Sequence, residues 1–210
     1  AVQPHLRKVF ENIDKVEFDA YKKIHAMFSA EGEKVDFVRT LDPTTKSVEF
    51  WMGDLEDMMK VSVRKVLLDS IENYKTMKRT DWVLAHKGQC VLNGSQVHWT
   101  SEVEDAIRKG VDGVGEYLKK SESQISDLVR LIRTKLDRQQ QIAINALIVI
   151  DVHAKDVVEK LHQNRIVDIG AFEWISQLRY YWENDDCYVK CIQTNFPYGY
   201  EYLGNTMRLV

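Results

Sequence analysis

The chain has 210 residues, 44% hydrophobic and 29% charged, with a net charge of −3 at pH 7. A chain of this size buries its own core without disulfide or metal staples, and its slightly acidic balance gives no broad cationic footprint for nucleic acid. The richest apolar stretch, Ile142 to Ile150, is nine residues long and contains Asn145, far short of the eighteen or so residues of a membrane span.

Leu6, Val9, Phe10, Ile13 and Val16 stand at helical spacing, which predicts a helix over 5–17 with Pro4 near its start. Ile24, Ala26 and Phe28, then Val35 and Phe37, alternate with polar residues around Ser29-Ala30-Glu31-Gly32, the pattern of a β-hairpin. The acidic residues nearby, Glu17, Asp19, Glu31, Glu33 and Asp36, read as a solvated sheet edge. After the break at Asp42-Pro43 comes the strongest helical pattern, from Val48 through Trp51, Leu55, Met58, Val63 and Leu67 to Tyr74. It predicts one helix of about thirty residues and roughly 45 Å, which implies an elongated body. Met52, Met58 and Met59 read as core filler.

A break at Lys87–Gly88 precedes a helix predicted over 91–109. Gly110, Gly113 and Gly115 resemble a glycine-rich loop, but no strand precedes them and the spacing is wrong, so a plain interhelical turn is expected. An amphipathic helix through Ile125, Leu128, Val129, Ile132 and Leu136 would start at Ser121 or Ser123 as cap. A more buried helix is expected over 140–162, then a short one over 171–182 and, between Cys187 and Leu203, two strands around a turn at Phe196-Pro197-Tyr198-Gly199. The fold class is therefore mainly α: an elongated helical rod with one small β element near each end. It divides into 1–41 (helix plus hairpin), 42–182 (helical body) and 183–210 (a β segment leading onward).

The search for chemistry returns little. No G-x-x-x-x-G-K-[ST] phosphate cradle is present. Asp151, His153 and His162 read as polar residues on a helix face, the two histidines pointing opposite ways at a spacing of nine. Cys90, Cys187 and Cys191 make neither a disulfide framework nor a zinc spacing. A strand would set Cys187 and Cys191 about 13 Å apart, so reduced thiols in an intracellular protein are expected. Ten aromatic side chains fall between Phe172 and Tyr202. That density predicts a rigid docking element, and the apolar close on Leu209–Val210 reads as the cut end of a longer polypeptide. Tyr198, Tyr200 and Tyr202 alternate, so in a strand they would share one face, while Gly199 and Gly204 allow turns or close approach.

Several stretches resemble the dynein heavy chain family. They are Phe172-Glu173-Trp174-Ile175-Ser176-Gln177-Leu178-Arg179-Tyr180-Tyr181-Trp182, then Tyr198-Gly199-Tyr200-Glu201-Tyr202-Leu203-Gly204-Asn205, the run from Ala146 to Val158, Ser95-Gln96-Val97-His98-Trp99-Thr100, and Ser29 to Val35. They stand in family order over nearly the whole chain, in wording closer to axonemal than to cytoplasmic heavy chains. Lys87 and Met207 stand where this family often has Pro.

The resemblance implies the C-terminal part of the linker, the lever across the AAA+ ring, just before the first AAA+ module. It implies a mechanical role in which ring ATPase chemistry becomes a power stroke, with no catalysis by this segment. ATP or ADP and magnesium would belong to the ring. The implied partners are the ring of the same heavy chain, microtubules through the parent motor and other dynein subunits, in a ciliary or flagellar axoneme, with no nucleic acid and no membrane. Tyr198, Gly199, Tyr200, Tyr202, Gly204 and Arg208 would couple lever to ring. Leu209 and Val210 would border the adenine pocket of the first module, or be a truncated strand without a role. The rival readings are a free-standing helical adaptor that binds a partner through its aromatic end, and an enzyme whose site would need Asp151, His153 and Glu159 to converge.

Overall fold

The computed structural model describes residues 3–205. Its longest element is the helix that the apolar spacing predicted, α2, Val48–Tyr74, 27 residues without interruption and about 40 Å long. One face buries Trp51, Leu55, Met58, Met59, Val63, Leu67 and Ile71. Gly53 sits inside it, where an added Cβ would meet nothing within 4 Å, so that glycine weakens the helix only through its own backbone freedom.

α2 packs across β3 of an antiparallel sheet ordered β1 (Lys15–Phe18), β2 (Ile24–Phe28), β3 (Lys34–Leu41). Val16, Ile24, Met27, Val35, Phe37 and Leu41 join the buried face of α2 in one core. The hairpin is as the alternation predicted, with Met27 opposite Val35 and Phe28 opposite Lys34. The helix expected over 5–17 is corrected. A helical turn and the single-turn α1, Leu6–Val9, end at Phe10, and Val16 belongs to β1, the first strand. Leu6, Phe10, Ile13 and Val16 are all buried, but an irregular segment turns them inward. A periodic apolar set shorter than three turns does not separate these cases.

The helical body comprises α3 (Arg79–Ala85), α4 (Gly88–Arg108), α5 (Val111–Leu131) and α6 (Arg138–Gln163). α4 is central and touches α2, α5, α6 and the second sheet. Two further cores lie along it. One gathers Val103, Ile107, Val114, Val158, Leu161 and Trp174, the other Trp82, Val91, Leu128, Ile144 and Leu147. α6 starts with a complete capping box, in which Asp137 accepts from Gln140 N–H at 2.8 Å and Gln140 Oε1 accepts from Asp137 N–H at 3.1 Å.

The glycine cluster and the serine cap are corrected together. Only Gly110, at φ +91°, is a turn; Gly113 and Gly115 lie inside α5. A Cβ at Gly113 would come within 2.7 Å of the Ala106 carbonyl oxygen, and one at Gly115 within 2.9 Å of His162 Nε2. Both glycines thus let α5 approach α4 and α6. The helix begins ten residues before Ser121, whose hydroxyl donates to Tyr117 O at 3.0 Å from mid-helix.

The short helix expected over 171–182 is also corrected. α7 is one turn, Phe172–Ile175, and Arg179–Glu183 is β4. It leads an antiparallel sheet ordered β4, β5 (Asp186–Cys191), β6 (Thr194–Pro197). Asn184 and Asp185 join β4 to β5 with positive φ of 51° and 59°, the two-residue turn whose twist suits a hairpin. The second turn falls at Ile192–Gln193, so Phe196 and Pro197 end a strand where a turn was expected.

Candidate functional site

Beyond β6 the chain crosses the molecule as a strap, 198–205, held largely by side chains from elsewhere. Tyr198 N–H donates to Cys187 O at 2.9 Å, and its hydroxyl accepts from Gln89 Nε2 at 2.7 Å. Gln89, in the first turn of α4, also donates to Glu201 O at 2.8 Å and accepts from Leu203 N–H at 2.9 Å. The Tyr200 hydroxyl accepts from Cys187 N–H at 3.0 Å and donates to Asp186 Oδ1. The Tyr202 hydroxyl donates to Glu33 Oε1 at 2.8 Å. Asn205 Nδ2 closes the series on Gln139 O at 2.9 Å, at the start of α6.

Glu33 is the keystone. It is 2% exposed, and its Oε2 accepts from Gly88 N–H, the first amide of α4, at 3.1 Å. A carboxylate there satisfies an amide that the helix itself cannot pair and lies at the positive end of the helix dipole. The solvated-edge reading of Glu33 is therefore corrected. One carboxylate joins sheet, helix and strap.

The structure brings Tyr198, Tyr200 and Tyr202 to one core, though not as a strand face. The segment is irregular, Tyr200 has φ +55°, and the rings of Tyr198 and Tyr200 meet edge to face at 5.3 Å. Gly204 has φ +66°, and a Cβ there would lie 3.1 Å from Ser29 Cβ, so a turn and a close approach coincide. At Gly199 a Cβ would meet nothing within 4 Å. Arg208, Leu209 and Val210, like Met207, lie outside the described residues.

Burial pushes the Tyr198 hydroxyl up to about 12. Tyr200 and Tyr202 are raised further, first by burial and then by the neighbouring Asp186 and Glu33 carboxylates. All three hydroxyls stay protonated, Tyr198 accepting from Gln89 and Tyr200 and Tyr202 donating to carboxylates. The Cys187 thiol is likewise pushed up to about 12 by burial, which removes it as a thiolate nucleophile. The arrangement fastens; it is not built to transfer protons.

Asp151, His153 and Glu159 do not converge. Asp151 forms a bidentate pair with Arg79 at 2.8 and 3.0 Å, His153 lines a separate apolar recess with Val149 and Leu178, and Glu159 pairs with Lys155 at 3.4 Å. Among the described residues no group of His, Cys, Asp and Glu is placed to hold a metal ion, and no helix is long and apolar enough to cross a membrane. Gln89, Asp186 and Gln139 were not singled out in the sequence, Asn205 stood there only as the end of a family-like stretch, and Glu33 was indistinguishable from the acids beside it.

Residues 1–70 match the family model described as "Dynein heavy chain, N-terminal region 2". Along its whole length the chain is 48% identical to human dynein axonemal heavy chain 1, over 210 residues that make 5% of that protein. It is 45% identical to mouse dynein axonemal heavy chain 3 over 211 residues, 5% of that protein, and 44% identical to mouse dynein axonemal heavy chain 12 over 211 residues, 7% of it. The chain thus spans only a small fraction of the length of these curated relatives.

Proposed function

The chain belongs to the dynein heavy chain family, and from that premise we propose that it is the C-terminal part of the motor's linker, the lever that turns ATP-driven changes of the AAA+ ring into movement along microtubules. The segment itself carries force and not chemistry. ATP or ADP and magnesium act in the ring, the ring of the same heavy chain and other dynein subunits are its partners, and the axoneme of a cilium or flagellum is where it works.

The observation that supports this reading most is the strap. A lever must hand load from one end to the other without yielding, and packed interiors deform little. Here Gln89, Glu33, Asp186 and Gln139 tie 198–205 to α4, to both sheets and to α6. A pull on residue 205 is thereby shared across the whole body.

In the full motor, replacing Tyr200 and Tyr202 by Ala is expected to slow microtubule gliding several-fold while basal ATP turnover changes little. Loss of both activities in parallel, tracking a lowered melting temperature, would leave the tyrosines a local structural role and overturn the coupling. The 210-residue chain alone is expected not to bind ATP, and micromolar affinity by calorimetry would overturn the assignment of nucleotide to the ring.

A further inference from the structure

Two of the stretches singled out in the sequence, Ser95–Thr100 on α4 and Ala146–Val158 on α6, meet at a small recess that the strap does not touch. Arg79 from α3, Gln96 and Trp99 from α4, Gln124 from α5 and Asp151 from α6 line it. Its free volume is about 20 Å³. That is too small for a cofactor or a peptide side chain, and the size of one water molecule, which needs upwards of about 10–15 Å³ measured this way.

Two hydrogen-bond donors in this lining, Arg79 Nε and Trp99 Nε1, are buried and lack a protein partner. Buried donors are nearly always satisfied by protein or by ordered water. The rest of the Arg79 guanidinium is engaged: both terminal nitrogens donate to the Asp151 carboxylate, and one reaches Ser95 Oγ at 3.5 Å. The indole of Trp99 is fixed edge to face on Trp174, with ring centres 5.2 Å apart, so it is not placed to swing away and find an acceptor.

The geometry points to a bound water molecule in this recess, accepting from Trp99 Nε1 and Arg79 Nε and donating to the Asp151 carboxylate and to a side-chain amide oxygen of Gln96 or Gln124. The electrostatics select a neutral occupant. Arg79 already has its charge matched by Asp151, so an anion gains no net positive partner, and two inward donors repel a cation. Water alone offers two lone pairs and two hydrogens in that volume. Bound there, it links α3, α4 and α6 through a polar junction inside the helix bundle. This assignment does not depend on the proposed lever role.

A crystal structure of the 210-residue chain at about 1.8 Å is expected to show a single solvent peak within about 2.7–3.2 Å of both Trp99 Nε1 and Arg79 Nε. In solution, the Trp99 indole N–H is expected to give a nuclear Overhauser cross-peak to water with the sign of a long-lived bound molecule, absent in Trp99→Phe. No solvent peak, with either donor paired to a protein acceptor instead, overturns the assignment. So does an indole N–H that shows only free-solvent exchange. The crystallographic measurement needs no variant, so poor folding of Trp99→Phe would leave the test intact.

Discussion

The two three-stranded sheets are built alike in topology and unlike in what holds them. The first lays Ile24, Ala26, Met27, Val35, Phe37 and Leu41 into the core beneath α2. In the second only Arg179 and Cys187 are fully buried along the strands, and β6 is exposed throughout. Its attachment is polar and aromatic instead. Thr100 Oγ1 accepts from Tyr180 N–H at 3.1 Å. Glu104 Oε1 accepts from Tyr181 OH at 2.5 Å and from Trp174 Nε1 at 3.2 Å. The guanidinium of Arg64 lies over the Trp182 ring at 5.6 Å. Apolar burial is non-directional and sums over area, whereas each hydrogen bond contributes modestly and only at the right geometry. The first sheet is thus part of the body, and the second is a fitting attached to it.

The largest effect should come from the first sheet. Ile24→Ala, at a fully buried site, is expected to lower unfolding stability by about 2–5 kcal/mol in denaturant titration. A loss no larger than that of an exposed substitution would erase the contrast. Tyr202→Phe removes one of the two hydrogen bonds to the buried Glu33 carboxylate and is expected to cost about 1–3 kcal/mol. Tyr181→Phe, which unties β4 from Glu104 and removes the hydroxyl that accepts from Arg179 of the same strand, is expected to cost about 1 kcal/mol. It should also speed amide exchange in β4 and β5 while leaving β2 and β3 unchanged. Equal acceleration in both sheets would mean that they open as one unit.

Acid should act on the body and spare the contrast. Burial holds His98 below the usual histidine range, opposed more weakly by the Ile71 carbonyl that its Nε2 faces at 2.9 Å. His86 is lowered by burial as well. A depressed folded value means stability fully present above about pH 6.5 and lost as pH falls through the folded value. The melting temperature is therefore expected to fall between pH 7 and pH 5, less steeply in His98→Gln; an unchanged slope would remove His98 from the cause. Smallest of all, Phe196→Ser on the exposed β6 should change stability by less than about 0.5 kcal/mol.

Long periodic segments were legible and short ones were not. α2 is where its apolar stripe placed it, and α6 starts two residues before the expected boundary. The aromatic content of 172–202 marked an ordered element, but β4 was read as helix because Tyr180, Tyr181 and Trp182 are half-buried on both faces and show no alternation. Gly113 and Gly115 were read as part of an interhelical turn when they permit close helix packing, since composition does not reveal what lies opposite a missing Cβ. For the strap, the tyrosines were named and their seats were not. Gln89 reaches Leu203 across more than a hundred residues, and no local pattern encodes such a partner.

The start of α4 has a last implication. Its N-cap position, Lys87, offers no side-chain cap, and its first amide is received by Glu33, a residue 55 positions earlier in the chain. The boundary of this helix is thus written in another element. Until the hairpin has docked, the first turn of α4 should fray, and Gln89, which grips the strap, lies in that turn. Assembly has an order as a result: hairpin first, then the end of the helix, then the closing segment, each step creating the surface that the next one needs.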